Sequence, residues 1–212
     1  MSNPTGRSLL LEAQAAWRQR EDGAPGGQAW VRLLPALDWP MPDTTARFSG
    51  VWTVAPAIDG WRGAWRAGLG AVPLATGSVS RLDLRFVLES VPEPEVLLAE
   101  CARALREDGR MLIFGLNPWG LARLRWFRRG VRALERGRVA ALLKAEGLEL
   151  VAQRTLGPRW APRGVDVAAT GTDTLGLGRV AWAILAIRRS SPLTPLRRSA
   201  PVWRATPGVP AS

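Results

Sequence analysis

The sequence of 212 residues suits one domain with a single core, and its 47% apolar content is too high for wholesale disorder. It contains no His, no Tyr and one Cys, Cys101, which excludes histidine general bases, His-ligated metals, Ser-His triads and intrachain disulfides. The net charge of +11 lies wholly in the C-terminal part: residues 1–119 sum to −1, while 120–144 hold 8 basic residues against Glu135 alone.

Residues 5–20, "TGRSLLLEAQAAWRQR", place Leu9, Ala13, Ala16 and Trp17 at helical spacing. "EDGAPGG" (21–27) reads as a loop, and the polar start "MSNPTGR" lacks the pattern of a secretory signal. No apolar run reaches the roughly 18–20 residues of a membrane span, so the expected location is the cytoplasm. "QAWVRLLPAL" (28–37) is a candidate strand that Pro35 weakens, and "VWTVA" (51–55) is a clearer one. "DGWRGAWRAGL" (59–69) reads as a short helix with Asp59 as its N-cap.

"RLDLRFVL" (81–88) alternates and is a strand. A helix is expected over 92–108, with Pro94 in its first turn and the acids Glu93 and Glu95 at its positive end. Leu97, Leu98, Cys101 and Leu105 form its apolar face; Cys101 there packs as a small hydrophobe. Gly109 ends that helix, and "RMLIFGL" (110–116) is a buried strand. "GLARLRWFRR" and "ERGRVAALLKAEG" are basic helical pieces. The strands 148–156 and 179–189 are expected to pair as a final hairpin. The remainder is rich in Pro and Arg and reads as a mobile tail, giving a division into a domain at 1–190 and a tail at 191–212. Strands alternating with helices point to an α/β sandwich of three layers.

Residues 71–119, "AVPLATGSVSRLDLRFVLESVPEPEVLLAECARALREDGRMLIFGLNPW", carry a specific likeness. They resemble class I S-adenosylmethionine-dependent methyltransferases of the type-11, ubiquinone/menaquinone-biosynthesis-like group. "VPLATGSVS" matches the turn before that group's fourth strand, "FVLESVPEPEVLLAECARAL" the strand's end and next helix, and "LREDGRMLIFGLNPW" the fifth strand. The ending "VAWAILAIRRSSPLTPLR" and the opening "TGRSLLLEAQAAW" are similar to a proteobacterial subgroup. The resemblance implies a Rossmann-like fold with a mostly parallel sheet and an antiparallel last strand. It also implies S-adenosylmethionine as cofactor and methyl transfer to a small-molecule acceptor.

The resemblance departs at the cofactor end. The family's glycine-rich loop corresponds to "LLPALDWPMPDTT" (33–45), which has no glycine; Pro40 and Pro42 fix φ there and lack N–H donors. The ribose-binding acid at the end of the second strand corresponds to Ala55-Pro56, and "AGLGA" (67–71) stands where an acid near the adenine is usual. The family's frequent fourth-strand His corresponds to Phe86.

By that correspondence the cofactor floor would be Leu37, Asp38, Ala55, Leu74, Ala75, Phe86 and Val87. Leu37, Leu74 and Val87 read equally well as core. Asp38 is the one carboxylate placed to replace a lost polar contact. Asn117 either orients an acceptor or initiates a turn with Pro118, and Glu89 is either a strand-end base or a structural acid. In the basic stretch 119–138, Trp119, Arg125, Arg128 and Arg129 could hold an anionic substrate, an anionic membrane surface or another anionic partner. Nucleic acid is the least supported of these, since no binding-module motif accompanies the charge. A non-enzymatic scaffold with this basic surface is the alternative to the enzyme.

Overall fold

The computed structural model describes residues 29–39, 50–120, 132–156 and 179–189. They form a seven-stranded sheet: β1 (Ala29–Leu33), β2 (Gly50–Ala57), β3 (Gly60–Gly63), β4 (Val79–Arg85), β5 (Leu105–Leu116), β6 (Glu149–Leu156) and β7 (Ala181–Ile187). Helix α1 (Pro94–Ala104) joins β4 to β5, and α2 (Arg136–Ala145) precedes β6. The spatial order is β3-β2-β1-β4-β5-β7-β6.

The pairings β1·β2, β1·β4 and β4·β5 are parallel, whereas β2·β3, β5·β7 and β6·β7 are antiparallel. The expected parallel centre and reversed last strand are present, but the sheet is more mixed than "mostly parallel" describes. The added antiparallel pair is the edge strand β3. The final hairpin pairs as the sequence suggested, from Glu149 opposite Ile187 to Leu156 opposite Ala181.

Every residue of β1, β4 and β7 is buried; β7, "AWAILAI", is the continuous apolar run of a strand covered on both faces, whereas β1 and β4 also bury Arg32, Arg81, Asp83 and Arg85. One sheet face sends Val31, Leu33, Leu82, Leu84, Met111 and Ile113 against Leu97, Leu98 and Cys101 of α1 and Val139 and Leu143 of α2. The other gathers Leu34, Phe86, Leu112, Phe114 and Leu185 around Trp39. Helix α1 begins as expected with Pro94 at its start, then ends at Ala104, short of Gly109. The chain turns from there through Asp108, whose φ of 57° is left-handed.

Residues 59–69 contradict the expected helix. Ile58 and Asp59 form a two-residue turn between β2 and β3, and Trp61 then bridges Ala67. Gly60 decides this locally: its φ is 127°, and a Cβ there would lie 2.2 Å from the Ala67 carbonyl oxygen. Asp59 is therefore a turn residue, not a helix N-cap, and its carboxylate pairs with Arg62 at 3.0 Å.

The expected helix at 5–20, most of the basic piece 120–129, the tail and the 190/191 division lie outside the described residues. Both described helices pack on one face, so the described residues show two layers of the expected three. Among the described residues no helix is long and apolar enough to cross a membrane.

Candidate functional site

The chain leaves β1 toward β2 on one side and reaches β4 on the other, so the strand order reverses between β1 and β4. Open α/β sheets bind ligands at such a switch point, outside the carboxyl ends of the strands. Here that rim consists of Leu34–Trp39 after β1, the end of β2, Phe86–Glu89 after β4 and Leu116–Gly120 after β5.

Aromatic side chains occupy the switch point. After Pro35 the chain turns tightly, with the Trp39 N–H donating to the Ala36 carbonyl at 3.1 Å. This buries the indole against Phe86, ring centroids 6.0 Å apart and tilted by 53°. Phe86 continues to Phe114 on β5 at 6.2 Å. Its backbone φ of 49° is left-handed, a conformation that costs a bulky residue about 1–3 kcal/mol. The Phe86 N–H still donates to the Phe114 carbonyl at 2.9 Å, so the strain turns the chain without losing that bond.

Five of the seven expected cofactor residues come to this rim. Leu37 and Asp38 are exposed on the β1 turn, Ala55 is buried on β2, and Phe86 and Val87 are buried after β4. Leu74 and Ala75 do not join them. They precede β4, at the amino ends of the central strands, where Arg103 at the end of α1 holds their loop. Its guanidinium donates to the Thr76 hydroxyl at 3.1 Å and the Val72 carbonyl at 3.2 Å, and the Gly77 N–H donates to the Arg103 carbonyl at 3.1 Å.

At the end of β5 the Asn117 amide is used in a turn. Its Nδ2 donates to the Arg179 carbonyl at 2.9 Å, and its Oδ1 accepts from the Trp119 N–H at 3.1 Å. Trp119 is left 59% exposed on that turn. Arg125, Arg128 and Arg129 lie outside the described residues. Nearby, the Trp182 indole N–H reaches two carbonyls, of Leu116 and Leu134, each at 3.0 Å.

Glu89 is buried, with its Oε1 accepting from the Leu116 N–H at 2.5 Å. Burial pushes its carboxyl up to about 7, against the opposing pull of the backbone N–H groups of Leu116 and Glu89. Cys101 is pushed up to about 12 by burial, so it is an inert core thiol. Among the described residues no group of three His, Cys, Asp or Glu could hold a metal ion.

Sequence reasoning missed a buried charge cluster on the second sheet face. "RLDLR" puts Arg81, Asp83 and Arg85 on one side of β4. Arg81 Nε donates to Asp83 Oδ1 at 2.9 Å, and an Arg85 terminal nitrogen donates to Oδ2 at 3.1 Å. Arg32 and Arg81 stack on the fully buried Trp30, 3.8 and 4.8 Å from its ring centroid. The signal was the period-2 placement of charge in a central strand.

Neither a family model nor a curated protein matches this chain. Solved structures do. The geranyl diphosphate C-methyltransferase of Streptomyces coelicolor A3(2), solved with Mg2+, geranyl diphosphate and S-adenosyl-L-homocysteine, aligns at a TM-score of 0.59 and 17% identity. The match covers 84% of this chain and 79% of that one. A Mesorhizobium loti S-adenosylmethionine-dependent methyltransferase aligns at 0.59 and 15% identity, over 84% of this chain and all (100%) of that one. One from Archaeoglobus fulgidus aligns at 0.58 and 12%, over 85% and 94%. The fold is thus that of S-adenosylmethionine-dependent methyltransferases.

Proposed function

We propose that this chain is a small-molecule methyltransferase of the type-11 kind, with a weakened hold on S-adenosylmethionine. The observation that carries the reading is the switch point between β1 and β4 in a sheet whose solved counterparts are methyltransferases. The described residues fit that cofactor poorly. Trp39 and Phe86 are buried against each other, and Ala55 and Pro56 at the end of β2 provide no acceptor for ribose hydroxyls. Bonds to a charged acceptor contribute about 1.5–3 kcal/mol each, so lacking a pair weakens binding by roughly a hundredfold or more. When bound, the cofactor would supply an electrophilic methyl group. The chain's own part is to hold the acceptor in line and exclude water, which demands shape more than acid–base groups. Acceptor-side contacts are assigned to Trp119, with Arg125, Arg128 and Arg129 following in sequence.

A second reading is a methyltransferase-fold scaffold that does not use the cofactor and binds an anionic surface. Two observations favour it: the Trp39–Phe86 pair at the switch point, and Trp119, 59% exposed ahead of an arginine-rich stretch. Transfer of a radiolabelled methyl group from S-adenosylmethionine into organic-extractable cell metabolites separates the two. Labelled product that depends on the protein supports the enzyme. No label, together with co-sedimentation on phosphatidylglycerol vesicles but not on phosphatidylcholine vesicles, supports the scaffold.

A further inference from the structure

We propose that Glu89 is a proton-operated latch on the strand-end rim: its carboxyl ties the loop after β4 to the end of β5, and loss of its proton loosens that junction. Glu89 sits three residues beyond Phe86 in a turn closed by the Ser90 N–H donating to the Val87 carbonyl at 2.9 Å. From there its side chain reaches across to the Leu116 N–H. The Leu116 carbonyl in turn accepts from Trp182, whose indole N–H also holds Leu134 on the approach to α2. Leu116 is thus the knot joining the loop after β4, the end of β5, β7 and the lead-in to α2. The Asn117 turn that carries exposed Trp119 begins at the next residue.

The carboxyl is poorly furnished for a permanent charge. Beyond its own backbone N–H, its Oε1 has one donor, the Leu116 N–H, while its Oε2 is buried with no hydrogen-bond partner among the described residues. An ionised carboxylate there gives up its hydration for little return. Among the described residues, burial and the backbone N–H groups of Leu116 and Glu89 act on its titration, and no charged side chain does. Among the described residues, the charged groups nearest that junction along the chain are Arg85, tied to Asp83, Arg179 ahead of β7, and Glu135 and Arg136 at the start of α2. Burial therefore decides the matter and raises the carboxyl to about 7.

The sign follows by linkage. The closed junction prefers the protonated acid, whereas an opened, hydrated Glu89 returns to the ordinary carboxylate value of 4.5. Closure is fully favoured below that value and is lost as pH rises through about 7, an effect on opening of order a hundredfold. The rim that would take a ligand is thereby coupled to pH without any histidine.

The test is hydrogen exchange of the full chain from pH 5 to 8.5, corrected for the intrinsic rise of exchange with pH. Protection of the Leu116, Trp119 and Gly120 amides is expected to fall tenfold or more between pH 5.5 and 8. Glu89→Gln, which keeps the acceptor oxygen and cannot ionise, should hold protection level across the range. Equal pH dependence in both proteins, or none in the wild type, overturns the latch. Should the Gln variant not fold, carbon-detected titration of the wild-type Glu89 carboxyl decides: an inflection near 7 that moves the Leu116 amide supports it, and one near 4.5 overturns it.

Discussion

Trp39 and Phe86, carried just beyond neighbouring strands β1 and β4, pack with ring centroids 6.0 Å apart, so the protein's own aromatic rings occupy the point where the strand order reverses. Phe86 accepts a left-handed backbone there, and Trp39 is 5% exposed. Trp39→Ala should therefore behave as a core truncation. A loss of about 3–5 kcal/mol in urea unfolding is expected, against under 1 kcal/mol for the same change at exposed Trp119.

Asp83 is the carboxylate between Arg81 and Arg85, and it is fully buried. A buried ion pair adds little over apolar packing, but removing one partner strands the other in the interior. Asp83→Ala is expected to cost about 3–5 kcal/mol, measured by chemical denaturation, or to abolish soluble expression. A Tm within 2 °C of wild type would refute the role given to this cluster.

Gly115 lies under the Trp182 indole, and a Cβ at that position would sit 2.1 Å from the ring. Neither the ring nor the strand can yield freely, because the indole N–H is fixed by Leu116 and Leu134. Gly115→Ala should destabilise by about 1–3 kcal/mol through overpacking, despite adding only a methyl group. Gly68, with nothing within 4 Å of an added Cβ, is the control and should tolerate Ala nearly unchanged.

Glu89 also predicts how global stability depends on pH. Its folded carboxyl is raised to about 7, above the ordinary 4.5 of the unfolded chain, so its contribution is complete below 4.5. That contribution is lost as pH rises to about 7, roughly 3 kcal/mol in all. Subtracting the Glu89→Gln unfolding curve from that of the wild type should show this slope. A difference that does not change between pH 4.5 and 7.5 would contradict it.

Much of the sheet was legible in the sequence because β7 and the end of β5 are buried apolar runs and α1 carries both its start signal and its apolar face, from Pro94 to Cys101. Residues 59–69 were not, since Trp61, Trp65 and Leu69 fall at helical spacing while Gly60 and Gly63, both at φ 127°, impose a hairpin. Period and turn chemistry disagreed there, and turn chemistry won. The alternation of "RLDLR" marked a strand, and only the assembled sheet reveals that the charged side of β4 is interior. At the rim, the resemblance located Phe86 and Asp38, yet it could not give the Trp39 packing, which depends on how sharply the chain turns after Pro35. Leu74 and Ala75 were grouped with the rim by the family resemblance, whereas Arg103 holds their loop at the amino end of β4.

The most direct test of the central claim is calorimetric titration of the full chain with S-adenosylhomocysteine. An intact site of this kind would bind at about 1–10 μM, near the low end of ordinary enzyme substrate constants. Without an acceptor pair at Ala55 and Pro56, saturable binding at roughly 0.1–1 mM is expected. Binding at 10 μM or tighter would contradict the weakened site, and no heat at several millimolar would contradict the methyltransferase reading itself.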